Sequence, residues 1–308
     1  MNIFLKVAIG ACAALATQAA YANDKITIAY TPNAESAPIY VGAEQGIFAK
    51  HGLDAELVAV PLNSALPAAI MSGSVTIATF TPTTFIQASN NGIELRAIAG
   101  MTVTSHKATR VGLVAAKGGK ITKVEDLKGK KIGVPGIGAV LDIMARRVLI
   151  DKGVDPATIS YTETTFPTQG DLLKGGTVDA VVSVDPFIGR MEGTGVGVLI
   201  GDLLEGVDDG QTAQFFGVSK EWADKNPNAI KEFRAAIAEA NEFVKKDEAK
   251  TREAIGKYLK LPAPVLTTIA LPATDASITA KQLDWWAGVM KKQGIISGDI
   301  DTKQLIAK

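Results

Sequence analysis

One glycine-rich stretch, GKKIGVPGIGAV at residues 129–140, has residue types and a spacing that suit ligand binding. It reads as a strand that ends at Pro135, a glycine-rich break and the start of a helix. The first N–H groups of a helix have no partner within the helix, so such a break commonly binds an anion. A P-loop would need Lys and Ser or Thr after the glycines, and a dinucleotide fingerprint would need a glycine in place of Leu141. Two interpretations remain, a backbone anion site and a tight turn without a ligand.

Residue types that carry catalysis or bind metals are scarce. Cys12 is the only cysteine, and the two histidines, His51 and His106, both lie in polar surroundings. No Ser-His-Asp arrangement and no metal-ligand spacing is present, so we predict no catalytic residue, no metal and no cofactor. The chain carries 32 basic and 32 acidic residues. This balance argues against a nucleic-acid partner, because nucleic-acid binding needs clustered basic residues in excess.

The N-terminus has the pattern of a secretory signal. Lys6 is followed by an apolar run that ends at Ala16, and Ala20-Tyr21-Ala22 has the small-x-small pattern of a cleavage site. We therefore predict a signal peptide at residues 1–22, cut after Ala22, and a periplasmic mature protein. Lipoprotein processing at Cys12, in the stretch IGAC, is the alternative. No later stretch approaches the length of about 18 uninterrupted apolar residues that a membrane span requires.

The remaining residues organise into two copies of one pattern. The first copy opens with the strand KITIAYTP at residues 25–32, continues through a helix that Gly52 closes, and ends at the break TPTTF. The second opens with KKIGVPG at residues 130–136, continues through a helix that Gly153 closes, and ends at the break DPF. Each copy reads as β-α-β-α-β, whose right-handed crossovers build a parallel sheet with helices on both faces. The sequence thus predicts an α/β fold with two lobes.

The lobe boundaries follow from two segments that read as strands crossing between the copies. The first crossing lies near Arg110, and the return lies at TAQFFGVS, residues 212–219. We predict lobe 1 at residues 23–109 and 212–308, and lobe 2 at residues 110–211. Ligands bind beyond the carboxyl ends of parallel strands, which here are YTPNAES, TFTPTTF, VPGIGA and SVDPF. We expect these four ends to line one cleft, and we expect Trp285 and Trp286 to pack in the core.

Several motifs resemble a known family. They are GAEQGIFAKHGLDAELV, AIMSGSVTIAT, KITKVEDLKGKKIGVPGIGAV, GGTVDAVVSVDPF and VSKEWADKNPNAIKEFRAAIAEANEFVKK. The chain resembles periplasmic substrate-binding proteins of ABC importers in the nitrate, sulfonate and taurine group, which is also related to binders of thiamine-pyrimidine precursors. The resemblance implies a two-lobed periplasmic-binding-protein-like fold, in which each lobe is a mostly parallel sheet flanked by helices and crossing strands form the hinge. It also implies a monomeric, non-enzymatic protein that closes on a small solute and presents it to a permease of the inner membrane.

The resemblance implies polar ligand contacts from the loop at residues 31–36, which leads us to predict Asn33 and Ser36 as contacts. The strand ends add hydroxyl groups, backbone N–H groups, one carboxylate and two apolar walls: Thr81, Thr83, Thr84, Gly138, Ala139, Asp185, Phe187 and Phe215. Asp185 suits a ligand that carries an amine, or alternatively caps the turn before Pro186. The expected solute is a small, anionic organic compound such as a sulfonate, a taurine-like molecule or an aromatic acid.

Two departures from the family pattern disfavour an alkanesulfonate. The second-lobe helix start reads GIGAV, without the serines that sulfonate binders often have, and Val184 replaces an aromatic residue before the acidic-Pro pair. A thiamine-precursor pyrimidine therefore stays open as the solute, as does a sensor-type binding protein in place of an importer component. Related enzymes depend on a cysteine-rich motif or a cofactor-bearing cysteine, which the mature chain lacks; a lysine-based cofactor enzyme is the remaining enzymatic alternative.

Overall fold

The computed structural model describes residues 24–308 of the chain. The predicted signal peptide at residues 1–22, with Cys12, lies outside the described residues. Within residues 24–308 no helix has the length and apolar character needed to span a bilayer.

The described residues form a mixed α/β structure. The strands are β1 (Asp24–Tyr30), β2 (Leu53–Ala59), β3 (Ile77–Phe80), β4 (Leu95–Val103), β5 (Val111–Ala116), β6 (Lys131–Val134), β7 (Ser160–Glu163), β8 (Ala180–Val184), β9 (Gly197–Asp202), β10 (Thr212–Ser219) and β11 (Ala273–Thr274). The helices are α1 (Ala37–Glu44), α2 (Ile47–Lys50), α3 (Leu66–Met71), α4 (Pro82–Asn90), α5 (Val140–Asp151), α6 (Gln169–Lys174), α7 (Phe187–Gly193), α8 (Lys220–Lys225), α9 (Pro227–Lys246), α10 (Glu248–Leu259), α11 (Ala263–Thr268) and α12 (Ala280–Lys292). The α/β fold class predicted from the sequence is confirmed.

The strands form two sheets that share one plan. The first sheet has the order β11-β4-β10-β3-β1-β2, and the second has the order β7-β6-β8-β5-β9. In the first sheet β1 pairs in parallel with β2 and β3, and in the second β6 pairs in parallel with β7 and β8. Each parallel trio is one β-α-β-α-β copy, with its opening strand in the centre. The two copies read from the sequence are therefore present as two separate sheets.

Each sheet also contains one strand that runs against its parallel trio. β10 pairs antiparallel with β3 and β4, and β5 pairs antiparallel with β8 and β9. The chain reaches β5 and β10 through residues 104–110 and 203–211, which we call the crossing segments. Thr104 ties them together, because its N–H donates to Gln211 O at 2.8 Å and its carbonyl accepts from Gly210 N at 2.8 Å. His106 Nδ1 lies 2.7 Å from Asp209 Oδ1 in the same place.

The hydrophobic core has two main parts. On one face of the first sheet α1 and α9 pack through a cluster that includes Ile39, Phe48, Phe216 and Phe233. On the other face α4 and α12 pack through a second cluster that continues across α5 into the second sheet. The residues that carry this continuation are Phe85, Ile86, Val140, Ile143, Met144, Trp286 and Met290. The two sheets are therefore joined by packed side chains as well as by the crossing segments.

One local prediction was wrong. The sequence suggested a single helix from residue 37 to Gly52, whereas the structure has α1 and the separate short helix α2. The break lies at Gly46, whose φ of +65° is left-handed and ends a helix.

Candidate functional site

A cavity lies between the two sheets, with about 660 Å³ of empty space including its mouth. The lining comes from the loops after β1, β2, β3 and β7, from the ends of β4, β5 and β8, and from α5, β10, α12 and the crossing segments: Asn33, Glu35, Asn63, Thr81, Val103, Thr104, Ser105, Ala108, Thr109, Val111, Val140, Leu141, Met144, Phe166, Val184, Leu204, Ala213, Gln214 and Trp286. Both sheets thus contribute to one enclosed space.

Four side chains of the lining are deeply buried and have an oxygen without a hydrogen-bond partner among residues 24–308. Asn33, Asn63, Thr109 and Gln214 are only 2%, 5%, 4% and 6% exposed. The orphaned atoms are Asn33 Oδ1, Asn63 Oδ1, Thr109 Oγ1 and Gln214 Oε1. A buried polar atom without a partner costs about 1–3 kcal/mol, so folded proteins normally pair such atoms. Their concentration around one cavity indicates a site built for a polar ligand.

Glu35 is the one charged residue of the described lining. The lining includes no Lys, Arg or His from residues 24–308. The residue is partly exposed, but its Oε2 atom is buried and has no hydrogen-bond partner within the described chain. Burial raises the pKa of the Glu35 carboxyl, and the nearby hydroxyls of Thr102 and Thr109 oppose that shift in part. Neither hydroxyl forms a hydrogen bond of normal geometry with it. Folding removes the water that would otherwise solvate this carboxyl group. A ligand group that donates a hydrogen bond to it would therefore replace that lost interaction with water.

The predicted anion site at the start of α5 is occupied by the protein itself. The N–H of Gly138 donates to Asp142 Oδ2 at 2.8 Å, and the N–H of Ala139 donates to Gly136 O at 3.1 Å. Asp142 is buried in the first turn of α5, and its Oδ1 accepts from Arg146 Nε at 2.8 Å. The prediction that Gly138 and Ala139 offer free N–H groups was wrong, because the Asp142 carboxylate accepts from Gly138 and the Gly136 carbonyl accepts from Ala139.

The hydroxyl groups predicted after β3 divide into one that lines the cavity and two that support it. Thr81 lines the cavity, caps α4 and accepts from Val140 N at 3.3 Å across the gap between the sheets. Thr84 Oγ1 lies 2.7 Å and Thr83 Oγ1 lies 3.4 Å from Thr81 Oγ1, and neither residue lines the cavity. In the loop after β1, Asn33 lines the cavity, whereas Ser36 donates to Thr31 O at 2.9 Å and supports the loop.

Asp185 is engaged within the second sheet. Its carboxylate accepts from Arg110 Nε at 2.7 Å, from Arg110 Nη2 at 3.0 Å and from Gly189 N at 3.1 Å. Asp185 does not line the cavity, although its neighbour Val184 does. Arg110 thus occupies the position beside Asp185 that was predicted for a ligand amine.

The two predicted aromatic walls do not line the cavity either. Phe187 stacks behind Phe166, with ring centroids 5.3 Å apart and planes 10° apart, and Phe166 is the ring that lines the cavity. Phe215 is fully buried and packs edge-to-face on Phe85, with centroids 5.0 Å apart. Successive side chains of a strand point to opposite faces, so Gln214 faces the cavity where Phe215 faces the core.

Among the lining residues that sequence reasoning missed are Glu35, Asn63, Thr109, Gln214 and Trp286. Strand alternation in TAQFFGVS was a signal for Gln214, and the quoted loop YTPNAES contained Glu35 beside the two residues chosen from it. Trp286 packs in the core as predicted, and in addition it lines the cavity and donates from Nε1 to Thr212 O at 2.7 Å. Asn63 and Thr109 had no sequence signal, because tertiary packing alone brings them to the cavity.

Hydrogen bonds also connect α5 to helices that pack on the first sheet. Gln87 of α4 donates from Nε2 to Gly138 O at 3.1 Å, and Gln293, just after α12, donates from Nε2 to Ile143 O at 3.0 Å. Together with the contact from Val140 N to Thr81, these bonds hold the cavity closed on one side.

Comparisons with known proteins give one family and several relatives. A family model described as NMT1/THI5 like matches residues 33–250. The nitrate/nitrite binding protein NrtA of Nostoc sp. (strain PCC 7120) is 24% identical over 246 residues, which cover 73% of this chain and 55% of that protein. The riboflavin-binding protein RibY of Chloroflexus aurantiacus is 25% identical over 218 residues, 69% of this chain and 60% of RibY.

A solved structure with the same fold is the alkanesulfonate-binding protein SsuA from Xanthomonas axonopodis pv. citri bound to MOPS. Its TM-score is 0.79 at 18% sequence identity, over 92% of this chain and 97% of that one. This likeness shows that the chain has a periplasmic-binding-protein fold.

Proposed function

Because the chain belongs to the NMT1/THI5-like family, we propose that it is the extracytoplasmic solute-binding component of an ABC importer. It captures a small organic solute between its two lobes and presents the solute to a permease of the inner membrane. The observation that carries this proposal is the cavity between the sheets, where four deeply buried side chains have unpaired oxygens. A bound solute supplies the missing hydrogen-bond partners and is passed on without a chemical step.

Closure of the lobes is the physical basis of capture. The proposed lobe 1 comprises residues 23–109 and 212–308, lobe 2 comprises residues 110–211, and the crossing segments are the hinge between them. A solute shifts the equilibrium toward the closed form only as far as its contacts differ between the open and closed forms. Asn33 and Asn63 would contact it from the first lobe, and Phe166 and Val184 from the second. A solute that contacts both sets at once stabilises the closed form.

Secretion belongs to the same proposal. The signal peptide at residues 1–22 would deliver the mature chain to the periplasm, where it acts as a monomer. The named relatives bind nitrate or nitrite, riboflavin and alkanesulfonates. Family membership therefore leaves the charge of the solute to be argued from the residues of this cavity, and the sulfonate, taurine-like, aromatic-acid and pyrimidine solutes all stay predictions.

The test is to incubate the purified protein with a small-molecule extract, remove unbound compounds and identify what the protein retains by mass spectrometry. The retained solute should be recovered unchanged and should reduce the radius of gyration measured by X-ray scattering. At 100 times its Kd it should stabilise the fold by about 2.7 kcal/mol. For a chain of this size the gain corresponds to a rise in Tm of about 4–5 °C.

Two asparagine variants make this test specific to the cavity. Asn33→Ala should weaken retention of the solute, because Asn33 lines the cavity with an unpaired oxygen. Asn228→Ala, on the exposed side of α9, is the matched control and should retain the solute as the natural protein does. Failure of the natural protein to retain any solute, or recovery of a chemically altered solute, would contradict the proposed function.

A further inference from the structure

We propose that the solute is an uncharged or cationic nitrogen compound that donates a hydrogen bond to the carboxyl group of Glu35, and that it is not an anion. This inference rests on the proposed function, since it names the class of solute that the same cavity takes. It differs from the expectation of an anionic solute that the sequence had suggested.

The charges around the cavity are the first support. Glu35 contributes a carboxylate, and no basic side chain of the described residues joins the lining. The guanidinium group of Arg110 is held by Asp185 and by Glu192, whose Oε2 lies 3.0 Å from Arg110 Nη1. Arg146 is bound to Asp142. An anion in this cavity would face the Glu35 carboxyl group without any compensating cation, which costs either like-charge repulsion or the uptake of a proton by Glu35.

The start of α5 gives independent support. Anion-binding proteins often use free N–H groups at a helix start. Here the N–H groups of Gly138, Ala139 and Val140 donate to Asp142, Gly136 and Thr81 within the protein. The three N–H groups that precede and open α5 are therefore not available to an anion, and the described lining adds no basic side chain.

The uncharged groups of the cavity fit a solute that carries N–H groups on an apolar body. The oxygens of Asn33, Asn63 and Gln214 accept hydrogen bonds and have no donor in the described chain. Each of these amides can also donate from its NH₂ group, so the three together can match both the N–H groups and the acceptors of an amide, an amidine or a nitrogen heterocycle. Most of the remaining lining is apolar, with the rings of Phe166 and Trp286 among it. A flat apolar body suits such walls.

The experiment compares three probes that share a phenyl ring and a planar head group and differ in charge. They are benzamidinium, benzamide and benzoate, and their binding is measured by thermal shift and calorimetry. We expect benzamidinium and benzamide to stabilise the protein, and benzoate to bind at least tenfold more weakly than benzamidinium. Tighter binding of benzoate than of either nitrogen compound would overturn the proposal.

Variants of two glutamates test the role of Glu35 itself. Glu35→Gln keeps the shape of the side chain and removes its charge, so it should weaken benzamidinium about ten- to hundredfold, the range for a hydrogen bond to a charged group. Glu56→Gln changes the net charge by the same amount on the exposed surface of β2 and should leave the affinity unchanged. Equal affinity of the natural protein and Glu35→Gln for the cation would overturn the assignment.

If none of the three probes raises Tm, the solute retained from a small-molecule extract decides. A retained compound that is neutral or cationic and carries N–H groups supports the inference, provided that Glu35→Gln loses it. A retained anion overturns the inference and leaves the proposed function standing. Retention of no solute at all overturns both, which separates the two kinds of failure.

Discussion

Replacing Gly138 by alanine tests the contact between α4 and the start of α5, which closes one side of the cavity. Gly138 has a φ of +79°, and a Cβ atom added there would lie 2.7 Å from Gln87 Nε2 and 2.8 Å from Gln87 Oε1. The left-handed backbone costs an alanine about 1–2 kcal/mol, of which about 0.4–1 kcal/mol is offset by the lower entropy of the unfolded chain. Displacing the amide of Gln87 breaks its hydrogen bond to Gly138 O, which contributes about 0.5–1.5 kcal/mol.

The expected loss for Gly138→Ala is therefore about 0.5–3 kcal/mol in the free energy of unfolding. Gln87→Ala alone should cost about 0.5–1.5 kcal/mol, because it removes the hydrogen bond without a clash. In the double variant the alanine at position 138 no longer meets the Gln87 amide. The loss of stability measured for the double variant should therefore be smaller than the sum of the losses of the two single variants. We expect a coupling energy of about 0.5–1.5 kcal/mol from urea unfolding of the four proteins.

Gly153 provides the matched control for this cycle. Its φ of +74° resembles that of Gly138, and a Cβ added there meets no atom within 4 Å. Gly153→Ala should therefore carry the backbone strain alone and add to Gln87→Ala within about 0.5 kcal/mol. If Gly138→Ala and Gln87→Ala were also additive within that error, Gln87 would not contact Gly138 and the described closure of α4 on α5 would be refuted.

Three further predictions concern other contacts. Trp286→Phe should lower the free energy of unfolding by about 1–3 kcal/mol in a urea titration, since it leaves the buried Thr212 carbonyl without its donor; an unchanged midpoint would count against that bond. Asp142→Ala should cost a similar amount of about 1–3 kcal/mol and free the start of α5, so that sulfate raises the Tm of the variant more than that of the natural protein; equal responses would contradict the internal carboxylate cap. His106→Ala should destabilise the protein most at mildly acidic pH. Asp209 raises the pKa of His106, so the stabilising pair with the charged imidazole is fully present below about pH 6.5 and is lost as the pH rises through the raised pKa. The pKa of Asp209 is lowered, so its carboxylate stays charged above about pH 4. A pH-independent difference in Tm between the two proteins would refute the pairing.

The sequence was a good guide to the fold because the evidence for the fold is local. Alternating apolar residues, helix-closing glycines and repeated strand ends recur in both copies, and each of these signals lies within one short segment. The buried face of α9, with Ile230, Phe233, Ile237 and Val244, could be read in the same way from its helical spacing. Parallel sheets then follow from the right-handed crossovers.

The site was harder to predict because long-range pairing decides which polar groups are free. Asp185 looked available in the sequence, but Arg110, 75 positions earlier, occupies its carboxylate. Gly138 looked like the start of an anion site, but Asp142 four residues later takes its N–H group. That second case had a local signal, an acidic residue in the first turn of a helix. The first had none, because only the pairing of β5 with β8 brings Arg110 to Asp185.

The strand order of the two sheets also bears on how the chain folds as it emerges during synthesis. β5 to β9 are contiguous in sequence, so the second sheet has all its strands once residue 202 is available. In the first sheet β10 lies between β3 and β4, so these two strands are not hydrogen-bonded to each other and are joined only through β10. The first sheet therefore cannot join its strands before residue 219 arrives, and β11 completes it only at residue 274. The sheet that begins first is the one that finishes last.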